Sequence, residues 1–194
     1  MSVRDAGMAA GSGRRGRPSV LDVAAEVLVA DPAASLAEVA AAAGIGRTTL
    51  HKHYATREDL LCAVGHRAID LWEQAVDAAG GAGDRDGGLR ALAGALIAIG
   101  PQLAFLWRTP VFDHIKDLDN RWIAAEQRCV TVLKRAQDHG LLAAGLPEWW
   151  LMQTFYAVIY TAAESVQAGK LAPLDAPDLA LRTFLHGVGA APKE

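Results

Sequence analysis

The sequence predicts an all-α protein, and three observations carry that prediction. Alanine is abundant while β-branched residues are sparse, a balance that favours helix over sheet. Three successive segments each open with Ser or Thr followed three residues later by Asp or Glu: Ser19 with Asp22, Ser35 with Glu38, and Thr56 with Asp59. In such a capping box the hydroxyl and the carboxylate reciprocally satisfy backbone N–H groups that a first helical turn leaves without partners. Apolar residues then recur every three or four positions, which lays them along one helical face.

The first helix begins near Ser19. Val20, Val23, Ala24, Val27 and Leu28 form its apolar stripe, and Asp31-Pro32 ends it because proline disfavours helical geometry in the residue before it. The second opens at Ser35 and buries Leu36, Val39, Ala40 and Ala43. Gly44 then turns the chain, having no Cβ to clash at positive φ. Ile45 and Leu50 reach back to that apolar face, which leaves Arg47, Thr48, His51 and Lys52 outside. Two short helices with a tight turn, the second presenting polar side chains, meet the physical requirement of a helix-turn-helix. An ordinary αα-hairpin with a polar outer face is the alternative. Charge favours the first reading, because from Val39 to Arg57 there is no Asp or Glu, but there are two Arg, one Lys and two His. The net charge is only −3, so any nucleic-acid contact must be a local patch.

The fourth helix follows Thr56 through Leu60, Leu61, Val64, Ala68, Leu71, Trp72, Ala75 and Val76 toward Gly80-Gly81. Asp84 to Gly88 reads as a charged, Gly-rich connector. Leu89 to Gly100 is the next helix, broken at Gly100-Pro101 and continued by Gln102 to Arg108, with a short helix around Val111 to Lys116 after Thr109-Pro110. Asp119 to His139 is a long amphipathic helix ended by Gly140. Glu148 to Ala168 is another, with Gly169 at its C′ position, and the last opens at Asp175-Ala176-Pro177-Asp178. Ala91 to Trp107 and Trp149 to Ala163 carry no charge, but both fall short of the ~20 residues a membrane span needs. Cys62 and Cys129 have no CxxC spacing and read as buried structural thiols of a cytoplasmic protein without a signal peptide.

The segment Ser35 to Val64, with Ala40 and Gly44 four apart, Leu50, His53-Tyr54 and Thr56-Arg57-Glu58-Asp59-Leu60, resembles the DNA-binding domain of the tetracycline-repressor (TetR) family. The resemblance covers about residues 17 to 65. It implies a homodimeric transcriptional regulator, usually a repressor, that a small molecule releases from a double-stranded DNA operator. It places Tyr54 in the three-helix core with Ala40, Gly44, Ile45 and Leu50, and Arg57 near the phosphate backbone. His51 stands where the family commonly has Tyr, a departure from its pattern. The expected organisation is a flexible arm over 1–17, a helix-turn-helix domain over 18–64, and a helical effector-binding and dimerisation domain over 65–194.

Physical roles can be assigned within that frame. Arg47, Thr48 and Thr49 lie at the end of the recognition helix that reaches base edges; an Arg can pair with guanine and Thr methyls can touch thymine methyls. His51 joins this group as a DNA-binding residue, and Lys52, His53 and Arg57 are suited to phosphates, which orient without reading sequence. Arg14, Arg15 and Arg17 form either a solvated tail or an arm that tracks phosphates or enters the minor groove. His51 and His53 are two apart on a helix and point to different sides, so no metal is expected, and no cofactor either.

Eleven of the twelve aromatics lie beyond residue 60. Trp72, Phe105, Trp107, Phe112, Trp122, Phe155 and Tyr156 are candidates to line an effector cavity, with Gln102, Arg108 and His114 as its polar groups. The alternative is that they are plain core. The helix from Trp149 to Ala163 is apolar on two sides, Trp149, Met152, Tyr156 and Ile159 on one and Leu151, Phe155, Val158 and Ala162 on the other. One side therefore suits the protomer's own core. Leu151, Val158 and Ala162, with Leu181 and Phe184 of the last helix, are expected at a four-helix dimer interface; the central helix of a monomer is the alternative. No catalytic motif is present, which leaves an all-helical enzyme resting on scattered groups such as Asp113 and His114, and a regulator without a small ligand, as the rival readings.

Overall fold

The computed structural model describes residues 19–80, 87–109 and 116–188. Within them lie nine helices and no strand: α1 (Val20–Ala30), α2 (Leu36–Ala42), α3 (Arg47–His53), α4 (Arg57–Gly80), α5 (Gly87–Ala98), α6 (Gly100–Arg108), α7 (Lys116–Asp138), α8 (Glu148–Gln167) and α9 (Ala176–Val188). The expected Arg14, Arg15, Arg17, Phe112, Asp113 and His114, and the short helix before Lys116, fall outside the described residues.

The caps form where the sequence places them. Ser35 and Glu38 close a full capping box, with the Ser35 N–H donating to Glu38 Oε2 at 2.7 Å and the Glu38 N–H donating to Ser35 Oγ at 3.3 Å. Thr56 and Asp59 do the same at 2.9 and 3.0 Å. At Ser19 the Asp22 carboxylate, which also interacts with the Ser19 hydroxyl and backbone, gains a further partner. The Ser19 hydroxyl accepts from the Asp22 N–H at 3.1 Å, while the Asp22 carboxylate accepts from Arg67 Nε of α4 at 3.2 Å. The N-terminal helix is thereby tied to the helix that links the two halves. Gly44, Gly140 and Gly169 adopt positive φ, of 66°, 72° and 66°, after α2, α7 and α8.

Two hydrophobic cores form, and α4 runs through both. The first gathers Ala24, Ala25, Leu28, Val39, Ala40 and Leu50 around Leu60, Leu61 and Val64 of α4. The second begins with Ala68, Ile69 and Trp72 of the same helix and takes in α5, α7, α8 and α9. Along α4 the division thus falls between Val64 and Ala68.

Phe105 corrects one expectation. It is fully buried, but in the first core, where α6 packs on α1. The short α6 therefore inserts a second-half residue into the N-terminal domain. Helices α5 and α6 meet at 75°, so their combined apolar length does not make one span, and among the described residues no single helix is long and apolar enough to cross a membrane. Gly100 permits the bend through close approach: a methyl built on it would stand 2.5 Å from Ala163 Cβ of α8. Of the two thiols, Cys129 is buried as expected and Cys62 is only half-buried.

Candidate nucleic-acid interface and cavity

Helix α3 is anchored by one residue and free along the rest of its surface. Leu50 is buried to 1% exposure, and Ile45 and Tyr54 pack half-buried beside it. Arg47, Thr48, Thr49, His51, Lys52 and His53 are all exposed. Ala40 is buried in the turn's core, while Gly44 lies exposed at the turn itself. The basic side chains cluster in the last turn of α3, where they oppose the partial negative charge of the helix C-terminus. The result is a rigidly seated helix that offers cations and hydroxyls, with carboxylates kept off its surface.

Arg57 has a different employment from the one expected. Its guanidinium donates to the carbonyl oxygens of Ala34 and Pro32, in the loop between α1 and α2. It pins the start of α4 to that loop, so a phosphate contact is no longer its evident role.

On the second core's surface, Trp107 of α6, Trp122 of α7, and Tyr156 and Tyr160 of α8 wall a cavity of about 310 Å³. The Trp107 ring lies 5.2 Å from Tyr156 and 6.0 Å from Tyr160, centroid to centroid. Trp72 stands behind this wall, fully buried, with edge contacts to Trp122 at 5.0 Å and Tyr156 at 6.0 Å. Its indole N–H donates to Cys129 Sγ at 3.3 Å. Of the expected effector residues, Trp107, Trp122 and Tyr156 thus line the cavity and Trp72 backs it. Phe155 does not, because it faces Phe184 of α9 at 5.2 Å in the core. Gln102 is buried away from the cavity lining. Arg108 lies over the Tyr160 ring, Cζ 5.2 Å from the centroid, and pairs with Glu164 at 3.7 Å.

Sequence reasoning missed Tyr160, Gln153 and above all Glu126, a carboxylate set into this aromatic lining. Burial pushes the Glu126 carboxyl up from its ordinary value. The available signal was spacing: Glu126 lies four residues after Trp122, one helical turn along the same inward face. The Tyr156 hydroxyl is also buried and makes no hydrogen bond of ordinary geometry among the described residues; its neighbour, the Cys129 thiol, is a weak acceptor. Desolvation drives its pKa far upward.

The expected dimer residues need correction. Leu151, Leu181 and Phe184 are buried within the protomer at 1%, 3% and 1% exposure. Phe155 and Phe184 pack on each other in that core, while Trp149 and Trp150 at the start of α8 stay exposed. The outer face of this helix pair is instead a groove of about 260 Å³ lined by small and hydroxylated residues, among them Ala157, Val158, Thr161, Ser165, Leu179 and Thr183. Val158 and Ala162 do border it.

Residues 20–64 match the family model described as bacterial regulatory proteins, tetR family. The chain is 31% identical over 160 residues, 82% of its length, to the HTH-type transcriptional repressor LfrR of Mycolicibacterium smegmatis, of which the match covers 83%. This chain belongs to the TetR family. The LfrR crystal structure in complex with proflavine superposes with a TM-score of 0.72 at 29% identity, covering 87% of this chain and 93% of that one. A second crystal structure of LfrR gives 0.64 at 27%, covering 87% and 97%. The TetR-family proteins matched are transcriptional regulators, and membership makes the α1–α3 unit a helix-turn-helix DNA-binding domain.

Proposed function

We infer that this TetR-family protein is a ligand-responsive repressor. It binds a palindromic operator in double-stranded DNA as a homodimer and is released by a small, largely apolar effector. The observation that carries the DNA reading is the exposed face of α3, in which Arg47, Thr48, Thr49, His51, Lys52 and His53 surround a single buried anchor, Leu50. In this reading Arg47, Thr48 and Thr49 meet base edges, and Lys52 and His53 meet phosphates. The relative LfrR is itself named a repressor and has been solved with proflavine, which supports both the sign of regulation and the existence of an effector.

A second copy of the chain covers the α8–α9 groove. Two-fold symmetry then sets two recognition helices against half-sites about one DNA turn apart. Effector binding reaches α3 through two elements. Helix α4 carries Trp72 against the cavity wall and Leu60 in the first core, and α6 carries Trp107 in the cavity and Phe105 in that same first core. A ligand that prefers one tilt of these helices changes the spacing of the recognition helices, and linkage makes operator and ligand mutually antagonistic.

Titration of the intergenic DNA beside the protein's own gene, paired with sedimentation, tests this reading. Nanomolar, sequence-dependent binding by a dimer is expected. A monomer at micromolar concentration, or affinity independent of sequence, contradicts it and favours a regulator that acts through protein contacts.

A further inference from the structure

We propose that operator binding by this chain takes up protons, because His51 and His53 meet the two walls of the major groove as imidazolium ions. The proposal rests on the reading of α3 as the recognition helix and adds to it a charge state and a dependence on pH. About 100° of helical turn separates consecutive residues, so with Leu50 pointing inward the ridge facing away is Thr48 and Lys52. His51 falls on one flank with Arg47, and His53 on the opposite flank with Thr49. A helix is roughly 10–12 Å across with its side chains and the major groove about 12 Å wide, so the flanks of a docked helix lie against the two phosphodiester strands that bound the groove. Each strand therefore meets one imidazole.

Both imidazoles are exposed, and among the described residues neither forms an ion pair; the His53 ring lies 6.4 Å from that of Tyr54, centroid to centroid. Of the charged groups on neighbouring elements, Glu38 of α2 is held by Ser35, Asp59 by the Thr56 cap and Arg57 by the loop carbonyls. Glu58 in the first turn of α4 stays exposed, and Arg47 and Lys52 are the other cations of α3. Imidazole is the side chain whose charge ordinarily changes between pH 5 and 8. Its neutral form offers a phosphate one N–H donor, whereas the cation offers two and a full charge. Both histidines also stand in the last turn of α3, where the partial negative charge of the helix end favours the cation. The bound state therefore holds more protons than the free one, and by linkage affinity falls as pH rises. For each imidazole the gain is complete below its titration in the free protein and lost above its titration in the complex. Lysine and arginine keep their charge over this range, so a pH slope singles out the imidazoles.

Anisotropy titrations of the full chain with a labelled duplex of the intergenic DNA beside its own gene, at constant ionic strength, test the proposal. Affinity should fall roughly tenfold or more from pH 6 to pH 8. Calorimetry in phosphate and in Tris at about pH 7, buffers of different ionisation heat, should show net proton uptake. The salt dependence should be steeper at the acid end, by up to about one unit of slope per imidazole that charges. His51→Gln and His53→Gln should each flatten the pH profile, and together should leave it within about twofold. His51→Arg/His53→Arg carries permanent cations and should be as flat, while keeping tight binding and the steep salt slope at the alkaline end. Circular dichroism at each pH checks that every chain is folded. Binding that is flat in pH, or that releases protons, overturns the proposal and leaves α3 as the recognition helix; so does a pH profile that survives the double Gln substitution. A chain that prefers the intergenic duplex no more than a scrambled one brings down the recognition-helix reading, and this proposal with it.

Discussion

Arg57 and Lys52 are both basic residues near the recognition helix, yet the structure gives them separate tasks. Arg57 donates to two loop carbonyls, so Arg57→Ala should cost about 1–3 kcal/mol of stability, read from the denaturation midpoint, through the acceptors it strands. Lys52 is exposed. Lys52→Ala should leave stability unchanged, weaken binding to all DNA, and reduce the salt dependence by about one phosphate contact. Exposure on α3 was legible in the sequence, because the helical period separates Leu50 from its polar neighbours. The partners of Arg57 were not legible, since they lie on a loop more than 20 residues earlier and only the folded chain brings them together. Glu126 was hidden for a related reason, in that an ionisable residue on a long amphipathic helix looks solvated until the opposing wall is known.

At the scale of the element, caps and close approaches set the boundaries. Helix starts at Ser35 and Thr56 were readable from local chemistry, and so were the glycine ends after α2, α7 and α8. Hydrogen bonds from the Ser35 backbone and hydroxyl hold the Glu38 carboxyl below its ordinary value of 4.5, and those of Thr56 do the same for Asp59 below 3.8. Folded values below unfolded ones mean that this stabilisation is complete above the unfolded pKa and fades as pH falls through the folded value. Thermal melts should therefore be flat in this contribution above about pH 5 and decline below about pH 4, and Ser35→Ala should lower the neutral-pH Tm and shrink that decline. Gly100→Ala should cost about 1–3 kcal/mol, as the new methyl meets Ala163, and Gly100→Ala with Ala163→Gly should recover most of it. The phase of α8 was the misreading at this scale. Two adjacent apolar stripes look alike in sequence, and packing buried members of both, Leu151 and Phe155 with Met152 and Ile159, in the protomer's own core, which left Val158 and small residues along the groove and Trp149 and Trp150 exposed.

The molecule as a whole joins two cores with one long helix and one short insertion. The N-terminal unit was legible almost residue by residue, because a DNA-reading surface imposes a pattern on consecutive positions. The second half was legible as helices but not as a site: its cavity draws on α6, α7 and α8, and no local pattern records which aromatics converge. Phe105 and Trp107 show the difficulty, two residues apart and serving different cores. The α8–α9 groove leads to a prediction at this scale. Leu179 is 41% exposed there, and Leu179→Glu should convert a micromolar dimer to monomer by sedimentation and weaken operator binding without altering helix content by circular dichroism.

The central claim is that α3 reads a two-fold operator. Footprinting the intergenic DNA beside the protein's own gene tests it most directly, comparing the unmodified chain with Arg47→Ala/Lys52→Ala at matched salt. Two protected half-sites about one helical turn apart, lost in the doubly substituted protein at an unchanged Tm, are the predicted result. Protection of a single unrepeated site, or a footprint that survives both substitutions, would contradict it.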